Sequence, residues 1–355
     1  MRRAQHPPCD ELVQLSGRPR AGAAPGEIRL FAKCRNEILR LPAFLHHYRR
    51  LGVGRFFVVD NGSSDGTAEY LLEQADVDLF RTEGSFGAAN GGTVWLNALL
   101  ARFGVGFWCL TADIDELIVY PGSERASLRT LVEYLDQAGA QALFCLLLDM
   151  YPPGPLNRCR YVAGADPAAA APCFDPGPYV RTARDVCPGF VVTGGMRERV
   201  FYPDARATAP VRRARDALYN RLLSRIPGVS ESRLARRWRP VHAPGLAKVP
   251  LVKWDENTRY LEVNHHVSPR VVAEEAGALL HFKFFQDFEE RAIAEAARGE
   301  YFDGASEYRR YARLLAAHPD LSLMCERSVR YEDSEQLVRL GLACDTAGWR
   351  EWRTR

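Results

Sequence analysis

Lysine is scarce in this 355-residue chain. Only four of its 47 basic residues are lysine, at positions 33, 248, 253 and 283, and the rest are arginine. A chain that uses arginine nearly everywhere can keep lysine where a compact ammonium group on a flexible stem is needed. The four positions are therefore of functional interest, with coding bias and chance placement as the alternative explanation.

An excess of either charge is also missing. Lys and Arg together number 47 and Asp and Glu 44, which gives a net charge of +3. A nucleic-acid-binding domain normally carries a clear basic excess, so this balance argues against a nucleic-acid partner. The remaining case for such a partner is the arginine-rich segment 205–239, which matches no DNA- or RNA-binding motif.

The nine cysteines include no CxxC pair, and no two of them lie closer than 14 residues. This spacing excludes zinc ribbons and thioredoxin-like redox motifs. Cys109 and Cys145 lie inside apolar runs, where cysteine acts as a small buried hydrophobic residue. The cysteine pattern therefore favours a reducing cytoplasm.

Long apolar runs are absent too. The longest, 91–112, is interrupted by Asn97 and Arg102, and the first residues contain no apolar signal region. No segment is long enough to span a bilayer, so we expect a cytoplasmic protein. A helix expected at 211–225 is rich in arginine, with apolar Val211 and Leu218 on one side. This pattern is typical of a solvated helix face or, alternatively, of peripheral contact with the inner face of an anionic membrane.

Segments typical of strands and helices alternate from residue 27 onward. We expect strands at 27–33, 55–60, 77–80, 106–112, 142–150 and 278–285. We expect helices at 41–52, 66–75, 92–104, 128–138, 211–225, 286–298, 304–317 and 334–344. Such alternation indicates βαβ units and a parallel sheet. Residues 152–189 are rich in Pro, Gly and Ala, as functional loops often are.

Polar clusters follow three of the expected strands, at residues 33–37, 60–65 and 113–116. Ligands of open parallel sheets bind at the carboxyl ends of the strands. Asp113 and Asp115 are two residues apart, so in an extended segment both carboxylates face the same way and can meet one divalent cation. Asp76 and Asp78 have the same spacing but precede their strand, which places them at the wrong edge of the sheet.

Asp60 ends the second strand, where nucleotide-binding α/β folds often place an acid that contacts ribose or base. A plain turn is the alternative explanation for this position. Neither the dinucleotide fingerprint GxGxxG nor the P-loop motif GxxxxGK[ST] is present. A nucleotide with a metal ion therefore remains plausible, whereas NAD and a P-loop nucleotide do not.

Several motifs together resemble the glycosyltransferase family 2 group, in a branch near family 92 that has RNE in place of YNE. They are K-C-R-N-E (33–37), L-P-A-F-L-H-H-Y (41–48), F-F-V-V-D-N-G-S-S-D-G-T (56–67) and W-C-L-T-A-D-I-D-E-L-I-V-Y (108–120). The resemblance is strong over 27–150. It continues more loosely through G-G-M-R-E-R-V-F (194–201), K-V-P-L-V-K-W (248–254), H-H-V (265–267) and L-L-H-F-K-F (279–284).

The resemblance implies an α/β fold of GT-A type, with a nucleotide-binding parallel or mixed sheet flanked by helices and a C-terminal helical extension. It further implies a nucleotide-sugar donor, UDP-sugar above all, Mn²⁺ or Mg²⁺, and inversion at the anomeric carbon. The acceptor is a hydroxyl of a glycan, a lipid-linked sugar or another molecule. The expected parts are a disordered tail (1–26), a nucleotide-sugar-binding half (27–150), an acceptor-side half with long loops (151–285) and a helical C-terminal region (286–355).

Site residues are carried over only where motifs match. Asp60 corresponds to the acid that contacts base or ribose, while Arg35 and Asn36 of the RNE motif are expected to line the donor. Asp113 and Asp115 correspond to the metal-binding pair; Asp115 is the more direct ligand, and Asp113 is also expected at the donor. Two departures affect these assignments: Asn61 stands where Asp is common, and the usual late Glu-Asp catalytic pair is not recognisable.

Other roles follow from chemistry. His281 is expected as a further metal ligand, and Lys283, two residues later on the same face, as a cation for the diphosphate. A core histidine beside a lysine with an exposed ammonium group is the alternative. His265 and His266 compete with His281 for the metal, and Lys248 and Lys253 are weaker candidates for phosphate.

An inverting transfer needs a base that takes the proton of the acceptor hydroxyl. Glu198 is the first candidate, because the preceding Gly194 and Gly195 leave space for an acceptor, and Asp149 is the second. Glu198 paired with a neighbouring arginine on the surface is the alternative. The competing hypothesis for the whole chain is a GT-A relative that binds carbohydrate or nucleotide without catalysis.

Overall fold

The computed structural model describes residues 12–16, 26–203 and 243–355. The arginine-rich segment 205–239, with its expected helix at 211–225 and membrane contact, lies outside the described residues. In the described part of the chain, no helix is both long enough and apolar enough to cross a bilayer.

The described strands and helices are named in chain order. The strands are β1 (Val13–Gln14), β2 (Ile28–Cys34), β3 (Val53–Asp60), β4 (Val77–Arg81), β5 (Trp108–Thr111), β6 (Glu116–Val119), β7 (Ala142–Asp149), β8 (Cys173–Phe174), β9 (Tyr179–Ala183), β10 (Phe190–Gly194), β11 (Ala247–Lys253), β12 (Tyr260–Glu262), β13 (His266–Val267), β14 (Val272–His281) and β15 (Val329–Arg330). The α-helices are α1 (Leu41–Arg50), α2 (Thr67–Leu72), α3 (Thr93–Phe103), α4 (Leu128–Gln137), α5 (Pro167–Ala170), α6 (Gly195–Phe201), α7 (Phe288–Arg298), α8 (Phe302–Ala317), α9 (Ser334–Arg339) and α10 (Ala347–Trp352).

A large mixed sheet forms the centre of the molecule. Its strand order over the described residues is β1-β4-β3-β2-β5-β11-β7-β14-β6. Strands β4, β3, β2 and β5 are mutually parallel, and β14 is parallel to β7. Strand β11 runs antiparallel to β5 and β7, and β6 antiparallel to β14. This confirms the expected α/β class with a mixed sheet flanked by helices, an architecture consistent with the GT-A type.

Helices cover both faces of the sheet. The buried residues of α1 and α4 join one core cluster, and those of α3 join another. In β2, Leu30 and Ala32 belong to the first cluster and Phe31 to the second, because alternate strand residues point to opposite faces. A third cluster joins α6 to α7 and α8. Lys33 therefore continues the face of β2 that packs towards α3.

An inner strand, β11, and an edge strand, β6, were not expected from the sequence. Strand β11 contains Pro250, a residue that normally argues against an inner strand because it cannot donate to the ladder. The register with β7 shifts between Lys248 and Leu251, and this irregularity accommodates the proline. Strand β6 follows only four residues after β5, too close for a separate strand to be recognised from the sequence.

The N-terminal segment and the C-terminal end of strand β14 also differ from what the sequence predicted. Within the segment 1–26 expected to be a disordered tail, Val13 and Gln14 pair with β4 at the edge of the sheet. Strand β14 ends at His281, whereas the sequence predicted a strand to residue 285. Its final residues, 278–281, pair with both β6 and β7. Lys283 therefore lies in the loop that follows the strand.

Candidate functional site

The site is built where strands of the central sheet end. His281 is opposite Asp149 in the parallel pair of β14 with β7, and opposite Glu116 in the antiparallel pair of β14 with β6. The turn between β5 and β6 carries Asp113 and Asp115, and the carbonyl of Asp115 accepts the backbone N–H of Phe282 at 2.7 Å. Sheet register thus brings the acidic turn next to His281.

Two lysines hold the carboxylate of Asp113. The Nζ atom of Lys33 lies 2.5 Å from Oδ1, and that of Lys248 lies 2.9 Å from Oδ2. Burial would raise the pKa of Asp113, but the two ammonium groups outweigh it and hold this pKa well below its ordinary value. Lys248 also binds Glu116, whose other oxygen accepts the backbone N–H of Asp113 at 3.1 Å. Both carboxylates are therefore neutralised by protein groups.

Asp115 faces His281 instead. Its Oδ2 lies 3.3 Å from Nε2 of His281, while Nδ1 of the same ring lies 2.7 Å from Oδ1 of Asp149. Burial would lower the pKa of His281, but the carboxylates on its two sides outweigh this effect and raise it. A neutral ring with its proton on Nδ1 would put two acceptors face to face at Nε2 and Asp115. This contact is stabilised by a cation between them, either a proton or a metal ion.

Arg197 fixes the far side of this arrangement. Its guanidinium, carried on α6, makes two hydrogen bonds to Asp149 and lies 3.0 Å from Nδ1 of His281. Since arginine can only donate, Asp149 is the natural acceptor for both the guanidinium and the Nδ1–H group. Asp149 therefore orients the imidazole and leaves Nε2 directed at Asp115.

The donor set fits a divalent metal ion in part. Ligand atoms of Asp115, Glu116 and His281 lie within 4.8 Å of one another. Asp149 orients His281 in the way that outer carboxylates orient metal-binding histidines. Because Lys248 already engages Glu116, Asp115 and His281 are the two groups best placed to hold an ion. Asp113, expected as a metal ligand, is not part of this group in the described structure.

Asp60 is completely buried at the end of β3. Both of its oxygens lie 3.2 Å from the backbone N–H of Ser63, so the carboxylate closes the turn after the strand. Strand β2 separates β3 from β5, which places Asp60 about 10 Å from the acidic turn, two strand spacings across the sheet. A nucleoside diphosphate is long enough to bridge such a distance.

Arg35 and Asn36 join the loops that follow β2 and β3. Arg35 donates to the carbonyl of Asn61 at 2.8 Å. Asn36 is exposed, and its side-chain oxygen Oδ1 accepts a hydrogen bond from the backbone N–H of Ser64 at 2.8 Å. The backbone N–H of Asn36 donates to the Ser63 hydroxyl at 2.9 Å. The two residues therefore shape the loop beside Asp60, and their contact with a donor remains a prediction.

The two residues predicted as the catalytic base differ in their surroundings. Burial would raise the pKa of Asp149, but Arg197 and His281 lower it to about 2. Glu198 is half-buried on α6. Its neighbours Arg197 and Arg199 bind Asp149 and Asp175, so the surface pairing considered for Glu198 does not engage these arginines.

The two glycines before Glu198 have a packing role. A Cβ atom at Gly194 would lie 2.2 Å from the carbonyl oxygen of Pro178, and one at Gly195 would lie 2.8 Å from the ring of Tyr179. Positive φ values at both positions add a second reason for glycine. These glycines are therefore explained by the close contact between α6 and β9, without an acceptor.

Lys283 does not join the acidic turn. Its Nζ lies 3.7 Å from Glu307 and 4.7 Å and 5.3 Å from the ring centroids of Tyr308 and Tyr311. Arg197 lies 3.7 Å from the same Glu307. Lys283 is therefore linked to His281 through Glu307, Arg197 and Asp149, and its contact with a diphosphate remains a prediction.

The competing histidines have other surroundings. His265 donates from its ring to the carbonyl of Ala247 at 3.1 Å, and burial, together with the nearby Lys248, holds its pKa well below the ordinary value. His266 is buried. The group of potential metal ligands found in the described chain contains His281 and neither of these two.

Asp76 and Asp78, the second Asp-x-Asp pair of the sequence, form ion pairs with arginines. Arg49 binds Asp76 at 2.6 Å, and Arg55 binds Asp78 at 2.5 Å. Asp78 pairs with Phe57 in the sheet, near the start of β4 rather than its end. These carboxylates therefore make ion pairs between the strands and helices at the opposite edge.

Sequence reasoning missed the partners of the acidic residues. Lys33 and Lys248 were not connected to Asp113, and Arg197 was considered only as one of two possible surface partners of Glu198, not as a buried partner of Asp149. The scarcity of lysine was the available signal, because Lys33 and Lys248 both bind Asp113. Lys283 instead pairs with Glu307, and Lys253 forms an exposed pair with Asp136. No sequence signal identified Arg197 among so many arginines.

Comparisons with known proteins give little further information. No family model matches the chain, and no curated protein matches it in sequence. A solved structure of 4-diphosphocytidyl-2C-methyl-D-erythritol synthase is similar over 39% of this chain and 68% of its own, with 16% sequence identity and a TM-score of 0.24. A similarity of this size carries no argument about the ligand or reaction of this chain. The α/β class is established by the sheet described above.

Proposed function

We propose that the chain is a metal-dependent glycosyltransferase. It would move a sugar from a nucleoside diphosphate donor to a hydroxyl acceptor, with inversion at the anomeric carbon. The observation that carries this proposal is the meeting of Asp115, Glu116 and His281, with ligand atoms within 4.8 Å, at the sheet edge where β3 also ends, at Asp60. The motif resemblance over 27–150 supplies the reaction type.

The roles of the residues follow from their positions. Asp115 and His281 would hold a divalent ion, which offsets the negative charge that develops on the diphosphate leaving group. Asp149 and Arg197 keep the imidazole in the orientation that presents Nε2 to Asp115. Asp60 would accept a hydrogen bond from the ribose or base of the donor.

Glu198 remains the proposed base. A base must accept a proton from the acceptor hydroxyl, so its lone pairs need to be accessible. Asp149 is buried, and its two oxygens are bound by Arg197 and His281. Its low pKa makes it a weak proton acceptor, so we assign it to positioning and retain Glu198 for proton removal.

The test is hydrolysis of UDP-sugars by the purified chain with Mn²⁺ or Mg²⁺, and the variant is Asp115→Asn. This change keeps the side-chain shape but removes the charge that faces the cation, so turnover should fall by orders of magnitude without a large change in melting temperature. Asp76→Asn is the matched control, because it alters the Asp-x-Asp pair at the opposite edge. Near-normal, metal-dependent turnover in Asp115→Asn would contradict the assignment.

One observation favours a second candidate function, nucleotide binding without catalysis. The carboxylates of Asp113 and Glu116 are already neutralised by lysine, which a decayed catalytic site could retain for structural reasons. The same experiment separates the two functions. A binding protein would bind UDP but would hydrolyse no UDP-sugar with either metal.

A further inference from the structure

Lys33, Lys248, Asp113 and Glu116 form three ion pairs, and two of these pairs differ clearly in exposure. Side-chain exposure is 9% for Lys33 and 32% for Asp113, so this pair lies at the open side of the site. The neighbouring pair of Lys248 with Glu116 is 1% and 2% exposed and is therefore sealed from solvent. The two lysines consequently have different roles: Lys248 is part of the buried framework, whereas Lys33 can meet a ligand.

The space for Lys33 is provided by one glycine. A Cβ atom at Gly92 would lie only 2.4 Å from Cδ of Lys33 and 3.2 Å from the indole of Trp95. Gly92 also has a φ of +78°, which L side chains rarely adopt. The chain thus keeps a glycine just before α3, where the lysine stem passes.

The next residue adds an independent observation. Thr93 is 2% exposed, and its hydroxyl has no hydrogen-bond partner among the described residues. An unpaired buried hydroxyl is costly unless another group satisfies it. The residue that follows Gly92 therefore carries a buried hydroxyl that the described chain leaves without a partner.

The ammonium of Lys33 has donors to spare. It carries three N–H groups, and Asp113 is its hydrogen-bond partner within the described chain. One donor can stay on Asp113 while the others bind phosphate oxygens. Lys248 binds Oδ2 of Asp113, which leaves Oδ1 to bind the ammonium group of Lys33. Asp113 thereby keeps this ammonium group at the sheet edge where Asp115 also lies.

We propose that Lys33 contacts the diphosphate of the donor and that Asp113 serves as its counter-ion rather than as a metal ligand. This inference rests on the proposed function, since it assigns a further substrate-binding residue to the same site. Lysine suits the position because its ammonium is compact and its stem passes against Gly92, where the wider arginine head is harder to place.

The test compares binding of UDP, UMP and inorganic pyrophosphate by titration calorimetry, with Mn²⁺ in excess. Lys33→Met should weaken UDP and pyrophosphate about ten- to a hundredfold, as expected for loss of a charge-assisted hydrogen bond. UMP, which has a single phosphate, should be affected less. Lys253→Met is the matched control, since it removes the exposed lysine paired with Asp136, and it should leave all three affinities unchanged.

A second variant separates ligand binding from folding. Lys33→Arg keeps the positive charge but has the wider head group, so it should recover only part of the UDP affinity lost in Lys33→Met. Equal UDP and pyrophosphate affinity in Lys33→Met and wild type would overturn the inference while leaving the proposed function intact. An equal loss for UMP and UDP would also overturn it, because Lys33 would then act through loop structure. Failure of wild type to bind any of the three probes would instead refute the proposed function.

Discussion

Lys248 and Lys253 provide a matched pair for testing how burial determines the strength of an ion pair. Both lie on β11, and both pair with acidic residues, but their environments are opposite. The pair of Lys253 with Asp136 is 46% and 42% exposed, against 1% and 2% for Lys248 with Glu116. Replacing each lysine by methionine keeps most of the stem and removes only the charge.

The expected losses differ severalfold. In Lys248→Met, Glu116 keeps the backbone N–H of Asp113 but loses its cation at a buried position. Removing one partner of a buried pair costs about 3–5 kcal/mol, because the other charge remains uncompensated. Asp113 retains Lys33, so the lower part of that range is expected. Lys253→Met should cost about 1 kcal/mol or less, as exposed pairs do.

Urea unfolding measures both losses as changes in the free energy of unfolding. The double variant Lys248→Met with Glu116→Gln removes both charges, so it should be more stable than Lys248→Met alone. Equal losses for the two single lysine variants would refute the burial argument. A double variant no more stable than Lys248→Met would show that the lost stability comes from packing and not from the isolated charge.

Two further predictions concern Asp60, which is proposed to contact the nucleotide, and the pH dependence of stability. Asp60→Asn keeps an acceptor for the Ser63 N–H but removes the charge. It should therefore weaken UDP binding by about 1–3 kcal/mol in calorimetry, with little change in melting temperature. Unchanged UDP affinity would place the nucleotide elsewhere. Burial lowers the pKa of His47, which donates to the carbonyl of Ile118, to about 4. As the pH falls, His47 is therefore protonated in the unfolded chain before it is protonated in the folded chain. Between about pH 6.5 and 4 the free energy of unfolding should decrease by up to about 3 kcal/mol. His47→Gln should flatten that dependence in urea unfolding, whereas His46→Gln, which alters the exposed neighbour, should not.

The α/β half of the molecule was predictable because its signals are local. Strands β2, β3, β4, β5 and β7 and helices α1 to α4 were predicted close to their observed bounds. Buried strands alternating with amphipathic helices produce such periodicity directly in the sequence. The polar groups after these strands were found by the same reasoning, since sheet topology fixes which strand ends meet.

The later strands were harder because tertiary contacts define them. Strand β11 lies between β5 and β7 although residues 150–246 separate it in the chain even from β7, the nearer of the two, and although it contains Pro250. Its insertion brings Lys248 to Asp113, so the partner of the first acidic residue could not be read from the motif. Arg197 is a similar case, because its burial beside Asp149 depends on how α6 packs and not on any local pattern.

The structure therefore gives the two acidic residues of the motif different partners. Spacing by two residues would turn Asp113 and Asp115 to the same side of an extended segment, but they lie in the turn between β5 and β6, where each meets a different strand of the sheet. Strand β11 supplies Lys248, which with Lys33 satisfies both oxygens of Asp113. Strand β14 supplies His281, whose Nε2 needs a cation between itself and Asp115. A positive charge is thus already built in at Asp113, while at Asp115 the site stays open to a proton or a metal ion.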